Sequence, residues 1–137
     1  VPQALAAMAR GAPEPAALHA AAAEALRAGG RLPYLFVVYG AEDAVVSPAN
    51  GRQLAEQWAA ALGLADPESD EDEMGGRAVT FTWWEDAQGR RPVALMSVAG
   101  LGHAWSGGSR EGTFTDPAGP DATREILHYL LRVAPPR

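Results

Sequence analysis

Cysteine is missing altogether from this 137-residue sequence, and lysine is missing with it. The first absence excludes disulfide frameworks, thiolate zinc sites, iron–sulfur clusters and cysteine nucleophiles, and leaves the redox compartment open. The second makes all 11 basic residues arginine. These are scattered, and the net charge is -6 with a pI near 4.9. A phosphate backbone is held by clustered positive charge, so nucleic acid is not an expected partner. Long apolar runs are lacking as well. No stretch approaches the ~20 residues that cross a bilayer, so no membrane partner is expected. Val1 opens without the basic and apolar regions of a signal peptide, and any targeting segment is expected to lie outside this sequence.

With 47% apolar and 20% charged residues, the chain has the composition of one globular unit over residues 1–137. A chain of this length buries roughly two thirds of its unfolded surface, enough for one core without staples. Residues 4–9 are helix-compatible and run into Gly11, Pro13 and Pro15. Ala16 to Ala28 is alanine-rich, with Leu18, Ala22 and Leu26 on one helical face, and Gly29 and Gly30 stop it. The continuous apolar run Tyr34 to Tyr39, closed by Gly40, suits a strand covered on both faces, as in a parallel sheet flanked by helices.

Ser47-Pro48 is a helix start, and Leu54, Trp58 and Leu62 give the following helix an apolar stripe that ends near Gly63. Between Asp66 and Glu73 six of eight residues are acidic. Their repulsion predicts a solvated, mobile acidic loop over 66–76, and the spacing does not match a calcium loop. Ala78 to Glu85 alternates and leads through Asp86–Arg90 into Val93 to Val98, which reads as a hairpin. Asp121 then caps a helix carrying Ile126, Leu127, Leu130 and Leu131, until Pro135-Pro136. The order helix, strand, helix, hairpin, helix predicts an α/β layer architecture of parallel strands plus a hairpin, flanked by helices.

Two segments stand at the carboxyl ends of predicted strands, where ligands gather in open α/β sheets. Gly40-Ala41-Glu42-Asp43 places an acid three residues past the glycine that closes the first strand. Gly100-Leu101-Gly102-His103 places a histidine five residues after Val98, with glycine on both sides to free the backbone. An imidazole is a suitable general base at neutral pH, and a carboxylate behind it fixes the tautomer and stabilises the imidazolium. Asp43 and His103 therefore make a coherent catalytic pair if the fold brings them together.

The phrases Val38-Tyr39-Gly40-Ala41-Glu42-Asp43-Ala44-Val45-Val46, Gly100-Leu101-Gly102-His103-Ala104-Trp105-Ser106-Gly107-Gly108 and Thr115-Asp116-Pro117-Ala118-Gly119-Pro120-Asp121-Ala122-Thr123 resemble the C-terminal half of the polyhydroxybutyrate (PHB) depolymerase-type esterases. These are α/β-hydrolases that also include acetyl and feruloyl esterases. The resemblance runs from Ala4 onward and includes the 60-residue spacing between Asp43 and His103. It implies the C-terminal part of an α/β-hydrolase fold, with Asp43 as the acid and His103 as the base of a Ser-His-Asp catalytic triad. It also implies ester substrates, polyhydroxyalkanoate chains or acylated polysaccharide, no cofactor, and an extracellular, secreted protein. Tyr39 stands where the family usually has a histidine outside the triad.

The triad serine is not found. In this fold the nucleophile precedes acid and histidine on a Gly-x-Ser-x-Gly turn, and no such turn surrounds Ser47, Ser69, Ser97, Ser106 or Ser109. The expectation is a carboxylic ester hydrolase fragment, inactive alone, whose partner is the N-terminal half of the same enzyme or a second copy joined through the exposed strand edge at Tyr34 to Tyr39. Trp105 either flanks the substrate pocket or packs under the histidine loop, and Ser106 is a candidate substrate contact beside it. Trp83 and Trp84 point to opposite faces of one strand, so one of them is a candidate surface for a sugar ring or polymer. The alternative is a non-catalytic carbohydrate- or polymer-binding module, in which the aromatic residues and the acidic loop serve recognition and the Asp43–His103 pair is vestigial. His19 and His128 lie on helices without companions, and no metal is expected.

Overall fold

Six uncharged residues, Leu35–Gly40, form β1 in the computed structural model, which describes residues 2–12, 15–30 and 32–133. Two helices precede it, α1 (Pro2–Arg10) and α2 (Pro15–Arg27), and α3 (Pro48–Leu62) follows. Then come β2 (Glu68–Met74), β3 (Arg77–Trp84), β4 (Val93–Val98), two short strands β5 (Trp105–Ser106) and β6 (Thr115–Asp116), and α4 (Ala122–His128). The chain beyond α4 continues as a π-helical turn, Tyr129–Val133. The architecture is mixed α/β with a four-stranded mixed sheet in the order β1-β4-β3-β2. Pro13 and Pro135-Pro136, where the sequence predicts breaks, and the side chain of Leu18 lie outside the described residues. Among the described residues no helix is long and apolar enough to cross a membrane.

β1 and β4 pair in parallel, from Leu35 opposite Val93 to Gly40 opposite Val98, so their carboxyl ends finish side by side. Alternation along the strands divides the core into two layers. Leu35, Val37 and Tyr39 of β1, Val93 and Leu95 of β4, and Trp84 of β3 pack against α3. Phe36, Val38, Met96, Val98, Val79 and Phe81 face the other way, toward Leu101 and the first residue of α4, Ala122. The helix starts follow their caps: the Ser47 hydroxyl accepts from the Ala49 N–H, and the Asp121 carboxylate accepts from the Arg124 N–H. Gly63 closes α3 in the left-handed conformation.

Three expectations need correction. The stripe that α3 buries is Ala55 and Ala59, while Leu54 is exposed and Trp58 and Leu62 are only partly buried. Small side chains let the helix approach the sheet closely, and its larger residues pack at the margins. The span 66–76, expected as an acidic loop, contains β2, paired antiparallel with β3 from Glu68 opposite Trp83 to Met74 opposite Arg77. Gly75 and Gly76, both at positive φ, make the two-residue turn that such a hairpin favours. The acids stay exposed, where solvent screens their repulsion, and the backbone ladder wins. A charged edge strand of this kind also refuses further strands. Third, the stretch expected as one helix from Asp121 changes winding at Tyr129, whose hydroxyl donates to the Arg91 carbonyl at 2.6 Å and whose ring stacks on Phe36, and Leu127, Leu130 and Leu131 of its expected apolar face are exposed.

Candidate active site

The site is built where the carboxyl ends of β1 and β4 meet. After β1 the chain turns across the end of β4: the Ala41 N–H donates to the Val98 carbonyl at 2.9 Å and the Glu42 N–H to the Leu101 carbonyl at 3.1 Å. This crossing needs glycine at position 40, because a β-carbon there would run into the Leu101 carbonyl and the backbone of Gly102. Leu101, fully buried beneath α4, anchors the second loop and leaves His103 projecting above it.

Asp43 and His103 come together. The Asp43 Oδ2 lies 2.8 Å from His103 Nδ1. A carboxylate accepts only, so Nδ1 carries the proton and donates it, and in the neutral ring Nε2 keeps its lone pair. Asp43 is itself held, since its Oδ1 accepts from the N–H groups of Val45 and Val46, each at 2.8 Å. Burial pushes the Asp43 carboxyl upward, but the Val46 N–H, the His103 ring and the Val45 N–H outweigh it and leave the group below its ordinary value of 3.8. A folded value below the unfolded one means that the contact stabilises the fold above about pH 4 and is lost as pH falls through the lowered value. We expect Asp43→Asn to show a flatter loss of stability than the unaltered chain below pH 4 in acid titrations followed by circular dichroism. Superimposable curves would contradict this.

The pair opens onto a cleft of about 410 Å³ whose walls include Tyr39, Gly40, Val46, Ala104, Trp105 and Phe114. Both residues line the cleft; the imidazole side chain is 47% exposed, whereas that of Asp43 is only 12% exposed. Among the described residues no hydroxyl bonds to His103. The Oγ of Ser47, which also lines the cleft, caps α3 instead.

Trp105 is about half-exposed at the mouth of the cleft, so it flanks the opening and does not pack under the loop. Ser106 is a correction: it is buried, and its hydroxyl donates to the Pro120 carbonyl at 2.7 Å. Ser106 is not among the residues that line the cleft. Phe114, more exposed than Trp105, reaches the same cleft and was not singled out from the sequence. It arrives because β5 and β6 pair in parallel, with the Trp105 N–H donating to the Phe114 carbonyl at 2.8 Å. An isolated phenylalanine in a glycine–threonine loop was its only signal. Of the paired tryptophans Trp84 is buried, and Trp83 is half-buried with the Arg91 guanidinium 4.3 Å above its ring. That cation occupies a face a sugar would need. Among the described residues no group of three or more histidine, aspartate or glutamate side chains could hold a metal ion. Compared with known proteins, the sequence matches no family model and no curated protein.

Proposed function

We propose that this chain carries the acid and base of a carboxylic ester hydrolase of the α/β-hydrolase type, as its C-terminal portion, with Asp43 orienting His103 and His103 moving the proton. The observation that carries the reading is the 2.8 Å contact between Asp43 Oδ2 and His103 Nδ1 at the ends of adjacent parallel strands, in a pair that lines a cleft. A serine from outside this sequence attacks the ester carbonyl. His103 Nε2 takes its proton, then returns it to the leaving alcohol, and the cycle repeats with water to release the acid. Asp43 stabilises the imidazolium formed in each half. The substrates implied are polyhydroxyalkanoate or acylated polysaccharide, as in the PHB depolymerase-type esterases. The alternative, a non-catalytic polymer-binding module, has weaker support, because Arg91 covers Trp83 and such a module has no use for an aligned carboxylate and imidazole.

Organophosphonate labelling tests this reading in the natural protein that contains the chain. The label is expected on a serine outside residues 1–137, at a rate that falls steeply in His103→Ala. No labelling, or labelling indifferent to His103, would overturn it.

The two edges of the sheet are unlike. β2 carries a row of exposed acids, whereas β1 has no charged residue. Unpaired N–H and C=O groups on an uncharged edge recruit another strand. The isolated 137-residue chain is therefore expected to self-associate through β1, as dimers or larger species that survive dilution in light scattering. A monomer at all concentrations would contradict this.

A further inference from the structure

We propose that Arg77 is a positioning residue for His103, a two-ended strut that fixes the His103 loop from below; this rests on the reading of Asp43 and His103 as a catalytic pair. The loop leaves the sheet at Ala99 and re-enters regular structure at Trp105–Ser106. Arg77 Nη1 donates to the Ala99 carbonyl at 3.2 Å, at the departing end. Arg77 Nη2 pairs with the Asp116 carboxylate. Asp116 is opposite Ser106 in the β5–β6 register, and its carbonyl accepts from the Gly107 N–H at 2.8 Å, at the returning end. One planar guanidinium thus spans a loop whose tip is His103, using its fork in a way that a single ammonium cannot.

The fit is close. A β-carbon on Gly100 would strike the Arg77 guanidinium, so the loop lies directly against it. The side chains of Arg77 and Asp116 are 25% and 16% exposed, which shelters the pair from solvent. Arg77 is the first residue of β3, immediately after the Gly75–Gly76 turn, and the Ala99 N–H donates to the neighbouring Ala78 carbonyl at 2.9 Å. The β2–β3 hairpin therefore supplies a rigid base for the strut. Without it the loop keeps its anchor at Leu101 but loses the link between its two ends, and the His103 ring loses its fixed distance from Asp43.

The test reads the Asp43–His103 contact directly, through the far-downfield proton resonance of an imidazole N–H bonded to a carboxylate, in the 137-residue chain. It is expected to be present in the unaltered chain and lost in Arg77→Met, with Tm lowered by no more than about 4 °C, the scale of one partly exposed ion pair. Arg77→Lys, which keeps the charge and the stem, is expected to lose the resonance as well, and carries the comparison should Arg77→Met fail to fold. Retention of the resonance in Arg77→Lys overturns the two-ended strut, as does retention in Arg77→Met. Its absence from the unaltered chain overturns the catalytic pair itself, and the strut with it.

Discussion

Under the proposed reading, in which a serine from outside these residues completes the site, His103→Ala is expected to lower kcat for ester hydrolysis by about 10⁶-fold, and Asp43→Asn by about 10⁴-fold. The first loss corresponds to about 8 kcal/mol of transition-state stabilisation. The difference between the two follows from geometry. In the proposed mechanism His103 Nε2 moves the proton, whereas Asp43 acts through the ring, holding the Nδ1–H tautomer at 2.8 Å and balancing the imidazolium. Asparagine can present an amide to Nδ1 and so favours the wrong tautomer while keeping the shape. On the same reading the isolated 137-residue chain is expected to show no turnover of a small chromogenic ester above the uncatalysed rate, because an acid and a base do little without a nucleophile and oxyanion donors beside them. Turnover by the purified chain that disappears in His103→Ala would contradict that expectation and place a nucleophile within these residues.

Gly40→Ala is the second large effect, and it comes from a single methyl group. The added carbon meets the Leu101 carbonyl and the Gly102 backbone, none of which is the movable end of a side chain. Relief requires the two loops to separate, which breaks the Glu42 N–H bond to the Leu101 carbonyl and moves Asp43 away from His103. Overpacking against backbone in this way costs about 3 kcal/mol or more. For a chain of this size we expect a Tm lower by about 10 °C in calorimetry, together with loss of the Asp43–His103 contact. An alanine variant with unchanged Tm would contradict the crossing of the two loops.

Much of this was legible in the sequence because local chemistry and global fold agree there. The run closed by Gly40 became a parallel strand, the Ser47-Pro48 start became a capped helix, and Asp43 and His103 met across 60 residues because both follow strands that end side by side. What was not legible depended on long-range partners. The acids at 68–73 read as self-repelling, but a Gly-Gly turn and the adjacent β3 gave their backbone a ladder while leaving the side chains in water. Ser106 read as a neighbour of the base, yet the 117–120 segment lies over it and takes its hydroxyl. The clasp between Arg77 and Asp116 joins residues 39 apart in a way no local pattern announces. Phe114 reaches the cleft only through the short β5–β6 pairing.

The most direct test of the account is the tautomer of His103, read from the ¹⁵N shifts of its two ring nitrogens in the neutral form of the ring. A protonated Nδ1 bonded to Asp43 and a bare Nε2 are expected, with that preference lost in Asp43→Asn. A proton on Nε2, or a ring whose tautomers are indifferent to Asp43, would contradict it.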